Sequence, residues 1–170
     1  NVRIVKGKIN SVIKLRESAI VLSALEYDEL TGLYIRQAFF HHAKTLMRVK
    51  NDQKFHVVVA DVKNFKWING TYGEKTGDQV LAYLGDAYKK QVHSGMVARY
   101  GGDQFVAIVY GDLNLAEEKV EAVIHRIAER APISNLAVNY GIYENVDKTL
   151  PLTLICDRAF LAMKSMQNDY

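Results

Sequence analysis

Apolar positions along this chain switch between two periods, and the switches mark the elements. Phe39, Phe40, Ala43, Leu46, Met47 and Val49 recur at helical spacing, which predicts an amphipathic helix over 35–49. Phe55-His56-Val57-Val58-Val59-Ala60 is a continuous run of strand formers ending on Asp61. A strand with no polar face is buried on both sides, so this one is predicted to be central. The helical period returns over 77–92 after a glycine-rich turn. Met96 to Tyr100 and Phe105 to Tyr110 are strand-like runs flanking Gly101-Gly102-Asp103-Gln104, which predicts a hairpin. A helix over 115–130, a strand over 136–143 and a helix over 151–166, with Pro151 near its start, follow. Ahead of these, Ile9, Val12, Ile13, Ile20 and Leu25 fall at mostly helical spacing, and the turn cluster Asp28-Glu29-Leu30-Thr31-Gly32 ends that segment.

The predicted core order is α-β-α-β-β-α-β-α. Helices alternate with strands, but one strand pair is joined by a tight turn, so the fold class is α+β. The sheet is mixed, mainly antiparallel and flanked by helices, close to a ferredoxin-like plan. Residues 1–26 are expected to form a linker or signalling helix and 27–170 the domain that follows it. Beyond the leader there is no repeat or low-complexity tract, and Pro132 and Pro151 are the only prolines. A length of 170 residues suits one domain, and a first residue of Asn1 suggests a piece of something longer.

Composition excludes several classes. With 49% hydrophobic and 24% charged residues the chain is neither wholly disordered nor collagen-like. No apolar run approaches the roughly 18 residues that span a bilayer. A single cysteine, Cys156, excludes an internal disulfide and makes a reducing cytoplasm the default compartment. The net charge of +3 is unevenly placed. Residues 1–25 hold five basic groups against one acidic group, +4, while the rest hold 17 against 18, −1. The body therefore has no electrostatic footprint for a nucleic-acid polymer, and the basic leader reads as an amphipathic linker helix rather than a membrane-surface helix.

Candidate chemistry starts with Asp61 at the end of the buried strand and Asp103 at the hairpin tip. On neighbouring strands their carboxylates can converge, and two hard oxygen ligands suit Mg²⁺ completed by substrate phosphates. Taken singly, such an Asp is more often a turn or helix cap. Gly101-Gly102 permits close backbone approach to phosphate, or simply makes the hairpin turn. Asn69 and Asp78 frame a stretch rich in turn formers, and an amide with a carboxylate can read a guanine edge. Asp78 is equally well placed to cap the following helix. His41, His42, His56, His93 and His125 lack metal-ligand spacing, so solvated or packing roles suit them. Cys156 reads as a small core residue.

Jointly, these residues match a family. Asp28 with Leu30-Thr31-Gly32-Leu33 and Arg36, Asp61-Val62-Lys63-Asn64-Phe65-Lys66-Trp67-Ile68-Asn69, Tyr72-Gly73, Gly77-Asp78, Arg99-Tyr100-Gly101-Gly102-Asp103-Gln104-Phe105 and Ala162-Met163-Lys164 occur in order. From about residue 27 to 166 the chain resembles the GGDEF domain, the diguanylate cyclase module of bacterial signalling. The resemblance implies a nucleotidyl-cyclase palm. It also implies a reaction in which two GTP molecules on two facing domains condense to cyclic di-GMP and pyrophosphate. In that scheme Asp61, the Val62 carbonyl and Asp103 hold Mg²⁺ or Mn²⁺. Asn69 and Asp78 read guanine, backbone amides near Asn64 and Phe65 meet the phosphates, Gly101 and Gly102 admit the nucleotide, and Lys164 pairs with phosphate charge. Implied partners are GTP, a second copy in a homodimer, and covalently attached sensor or phosphodiesterase domains. The implied location is the bacterial cytoplasm, with a membrane anchor allowed elsewhere in the full-length protein.

The chain also departs from the family. Gln104 stands where the signature has Glu, removing one negative charge from a site that holds a cation. Lys63 and Gly70 replace common acids, Ile35 replaces an Asn, and Asn168 stands where many members carry an Arg. The Arg-x-x-Asp product-inhibition site is replaced by Val92-His93-Ser94-Gly95. These departures favour a degenerate, GTP-binding regulatory domain with weak or no cyclase activity. An active cyclase and a purely structural dimerisation module are the alternatives.

Overall fold

The apolar run at 55–60 sits where its composition puts it, inside the sheet. In the computed structural model, which describes residues 26–93 and 95–168, this strand extends from Phe55 to Val62. The elements in chain order are β1 (Tyr34–Ile35), α1 (Arg36–Val49), β2 (Phe55–Val62), α2 (Phe65–Tyr72), α3 (Glu74–Gln91), β3 (Gly95–Gly101), β4 (Gln104–Tyr110), α4 (Leu113–Glu129), β5 (Val138–Tyr143) and α5 (Leu152–Asn168). The sheet order is β1-β3-β4-β2-β5. Its pairs are antiparallel except for the short β1, which runs parallel to β3. The α+β class and mainly antiparallel mixed sheet are as the periodicity predicts. The predicted leader helix lies outside the described residues, apart from Glu26.

Both sheet faces are covered, which explains why β2 carries no polar stripe despite its antiparallel neighbours. Phe55, Val57 and Val59 pack with Phe39 and Ala43 of α1 and with Ile155, Cys156, Ala159, Phe160 and Met163 of α5. On the other face Val62 and Phe105 pack with Val80, Leu81 and Leu84 of α3 and with Val123 and Ile127 of α4. His56 is fully buried in β2. Its Nε2 lies 2.9 Å from the Gly111 carbonyl, and its Nδ1 accepts the Asn145 amide at 3.1 Å. It is a satisfied core histidine. Cys156 is also fully buried, and burial first, then the Asp157 charge, pushes its thiol up to about 12. That environment keeps the thiol inert.

Two features differ from the sequence expectation. The stretch Asn69–Asp78, read as a turn, is the end of α2 and the start of α3 with Gly73 between them. Buried Ile68 anchors α2 in the core shared with α3, and that tertiary contact overrides the turn-forming composition. Asp78 is consequently the fifth residue of α3 and caps nothing; the first-turn acid is Glu74. The two-residue β1 has no period long enough to be read from sequence.

Candidate functional site

Residue alternation along β2 places Asp61 on the same face as Val57 and Val59, toward α5. An open groove of about 880 Å³ lies there, bounded by Asp61, Lys63 and Asn64 on one side and by Ala159, Met163 and Gln167 of α5 on the other. Asp61 is half-buried and accepts the Asn139 side-chain amide at 2.7 Å; Asn139 is its direct partner on β5. Burial pushes the Asp61 carboxyl up first. The Asn139 bond opposes that, the charge of Asp103 adds to it, and Lys164 and Gln167 again oppose. Asp103 reaches across from the β3–β4 turn, its Oδ2 accepting the Val62 amide at 3.1 Å. Two carboxylates thus converge at the ends of adjacent strands.

The turn that carries Asp103 is built by Gly102, whose φ of +50° is a left-handed conformation favouring glycine. A register shift between Arg99 and Gly101 marks a bulge at Tyr100. Arg36 fixes that bulge: its Nε donates to the Tyr100 carbonyl at 3.0 Å and its guanidinium lies 3.9 Å from the ring centroid. Arg99 donates to the Gly102 carbonyl at 2.9 Å and pairs with Asp28 at 3.2 Å. Partial burial pushes Asp28 up, but the Thr31 hydroxyl and amide and the Arg99 charge outweigh it and hold its carboxyl below the usual range. Gln104 opens β4, opposite Gly101 and partly exposed.

Beyond β2 the chain turns into α2 through Asn64, which is left-handed at φ +56°. Asparagine tolerates that conformation better than most residues. The amides of Phe65 and its neighbours occupy the first turn of α2, where helical geometry supplies no partner. Asn69 and Asp78 do not line the groove; Asn69 lies in α2 and Asp78 in α3, on either side of Gly73. A Cβ on Gly77 would lie 1.8 Å from Asn69 Oδ1, so only glycine there leaves room for the Asn69 amide against α3. Lys164 is exposed on α5, close enough to Asp61 to lower its carboxyl. The side chain of Asn168 lies outside the described residues, as does Ser94.

The donor set fits a hard divalent cation in one way only. Among the described residues no three His, Cys, Asp or Glu side chains are grouped to hold a metal, so no all-protein cage exists. Two carboxylates close enough that the charge of Asp103 helps raise the Asp61 carboxyl match a cation that takes its remaining oxygens from phosphates and water. Asn139 and Gln167 escaped the sequence reading. The sole signal for Asn139 is a polar residue inside a strand.

The five-stranded, mainly antiparallel mixed sheet with its five helices is the fold of a nucleotidyl-cyclase palm. More narrowly, the chain belongs to the GGDEF family: residues 25–168 match the family described as diguanylate cyclase, GGDEF domain. Diguanylate cyclase DgcS of Shewanella oneidensis is 31% identical over a 141-residue alignment that covers 73% of this chain and 48% of DgcS. The chain therefore spans about half the length of that relative. The solved coiled coil and GGDEF domain of DgcB from Caulobacter crescentus, in complex with c-di-GMP, aligns with a TM-score of 0.83 at 22% identity. That alignment covers 97% of this chain and 93% of DgcB's. The Vibrio cholerae LapD S helix-GGDEF-EAL structure, bound to c-di-GMP, aligns with a TM-score of 0.70 at 17% identity over 84% of this chain and 34% of LapD's. Both are likenesses of fold. Among the described residues no helix is long and apolar enough to cross a membrane.

Proposed function

We propose that this GGDEF domain binds GTP with a divalent cation at the end of β2 and serves as a regulatory module with weak or no cyclase activity. The observation that carries the reading is the contrast within the signature turn. Asp61 and Asp103 still converge, while Gln104 brings a neutral amide where the family has a carboxylate. In this reading Asp61, the Val62 carbonyl and Asp103 hold Mg²⁺ or Mn²⁺, which when bound offsets triphosphate charge. The first-turn amides of α2, near Asn64 and Phe65, receive phosphate oxygens. Asn69 and Asp78 read the guanine edge, Gly101 and Gly102 let the nucleotide lie against backbone, and Lys164 pairs with phosphate charge. Full cyclase chemistry needs two such domains facing each other, each presenting a ribose 3′-hydroxyl to the other's α-phosphate. Positioning and charge compensation do most of that work, and loss of one charge weakens the second part.

The domain is proposed to span 27–170, behind a linker helix at 1–26, in the cytoplasm of a bacterium. Attachment to sensor or phosphodiesterase domains fits its share of its relatives' length; LapD carries GGDEF and EAL in one chain. The second reading, an active homodimeric cyclase, is favoured by the intact carboxylate pair. The test is incubation of the chain with GTP and Mg²⁺ or Mn²⁺, chromatography for cyclic di-GMP, and calorimetry for binding. Binding with little product supports the regulatory reading, and robust turnover supports the cyclase. Absence of GTP binding at millimolar concentration overturns both.

A further inference from the structure

Asp61 does not stand free at the end of β2; β5 holds it. Its partner across the β2–β5 pair is Asn139, within a ladder that runs from Val57 opposite Tyr143 to Val62 opposite Val138. The Lys63 amide carries the ladder one step further, donating to the Ala137 carbonyl at 2.9 Å. Asp61 and Asn139 thus face each other with paired backbone on both sides, and their register is fixed. Directly opposed residues in an antiparallel pair have Cβ atoms about 4.5–5.5 Å apart, so the two short side chains reach each other. Asn139 Nδ2 donates to Asp61 Oδ1 at 2.7 Å. An ionised carboxylate only accepts, so the nitrogen end of the amide is the end that must face it.

The charge of the donor matters as much as its place. Asp103, the other carboxylate, accepts the Val62 backbone amide, so a neutral N–H group holds each acid. A lysine or arginine opposite Asp61 would hold it as firmly and would cancel the charge that a cation needs. A neutral amide fixes the carboxylate and leaves its charge intact. Gln167 of α5 also bonds Asp61, but it is exposed on the last turn of its helix, and a glutamine loses more rotamer freedom on being held. Asn139 is shorter, half-buried and on the wall of the same groove as Asp61.

We propose that Asn139 is a positioning residue of the cation site: by holding Asp61 Oδ1 it fixes the carboxylate in the orientation that receives a divalent cation, and so sets the affinity for Mg²⁺ or Mn²⁺. The inference rests on the cation site proposed above and adds a residue outside the ligand set. Hydrogen-bond partners that orient metal ligands are typically worth about 10- to 100-fold in metal affinity. Gln167 keeps a hold on Asp61 when Asn139 is replaced, so a loss near the lower end is expected.

The test adds Mn²⁺ alone to the 170-residue chain and follows paramagnetic broadening of its amide signals by NMR, which reports where the ion sits and how tightly, without turnover. Broadening at Val62 and Asp103 should saturate in the unaltered chain, and Asp61→Ala should abolish it. Asn139→Val and Asn139→Thr then separate positioning from structure. The two side chains have the same shape and both suit a strand, but only threonine keeps a donor facing Asp61. Asn139→Val should weaken Mn²⁺ about 10-fold, and Asn139→Thr should bind at least about three-fold tighter than Asn139→Val, whereas a purely structural role makes the two equal. Thermal melts of the metal-free variants should stay within roughly 4 °C of the unaltered chain. Equal affinity in the two variants, or undiminished affinity in Asn139→Val, overturns the positioning role while Asp61→Ala still upholds the cation site. A melt lowered by more than about 10 °C makes Asn139 a structural residue and also overturns it. Absence of any broadening that depends on Asp61 overturns the cation site and the positioning role together.

Discussion

Gly77 is the tightest point beside Asn69, to which the proposed function gives guanine recognition, and replacing it by alanine separates recognition from stability. The added Cβ would lie 1.8 Å from Asn69 Oδ1 and 2.9 Å from its Cγ, against ordinary contact at 3.4 Å or more. The obstructing atom is the end of a side chain, so Asn69 turns away before α3 moves. Alanine inside a helix gains up to about 1 kcal/mol over glycine, and overpacking takes away about 1 kcal/mol or more. Net stability should stay within about 1 kcal/mol, a shift of under roughly 4 °C in Tm. Recognition should fare worse. Losing one or two neutral hydrogen bonds at about 1 kcal/mol each weakens GTP about 5- to 30-fold. Calorimetry with GTP and Mg²⁺, beside thermal melts, reads both quantities. The double variant Asn69→Ala/Gly77→Ala should be more stable than Gly77→Ala and bind GTP no better. Undiminished GTP affinity in Gly77→Ala would refute the role given to Asn69, and a Tm loss beyond 10 °C would refute the packing account.

Three further outcomes are expected. Gln104→Glu restores a carboxylate and should raise cyclic di-GMP formation on the order of 10²–10³-fold or tighten Mg²⁺; chromatography and calorimetry check this, and no change in either removes Gln104 as the lesion. Asp61→Asn should abolish metal-dependent GTP binding yet stabilise the metal-free chain. The folded carboxyl is raised, so its contribution is fully present below the unfolded value and is lost as pH rises through the folded one. The Tm advantage of Asp61→Asn should therefore be larger at pH 8 than at pH 4, and the reverse order would refute the burial account. His56→Ala opens a fully buried space and strands the Gly111 carbonyl and the Asn145 amide. It should cost about 3 kcal/mol, or roughly 10 °C in a melt; a loss under 3 °C would contradict it.

Much of the fold was legible because periodicity is a local consequence of burial. The strand at 55–60, the hairpin around Gly101-Gly102 and the helices near 35–49, 115–130 and 151–166 all reappear within a few residues. Helix α2 was not legible, because Asn69-Gly70-Thr71 has turn composition and is helical only through Ile68 in a core shared with distant residues. Part of the site was legible as chemistry: an acid ending a buried strand, another in a glycine turn, an asparagine near a Gly-Asp pair. Its supports were not. Asn139 meets Asp61 across 78 positions of chain, and Arg99 meets Asp28 across 71.

By itself, the sequence determined which residue types the molecule has to work with. Those are the strand and helix periods, the neutral Gln104 within an otherwise acidic signature, and a body whose net charge is −1. Only the tertiary structure decided where these groups meet. It set the antiparallel register that brings Asp61 near Asp103, and the close approach of the Asn69 amide to Gly77. The reason is physical. Periodicity records whether a side chain is buried, which each residue reports alone, whereas a site records which residues are buried together, and that depends on register and packing that no single position carries.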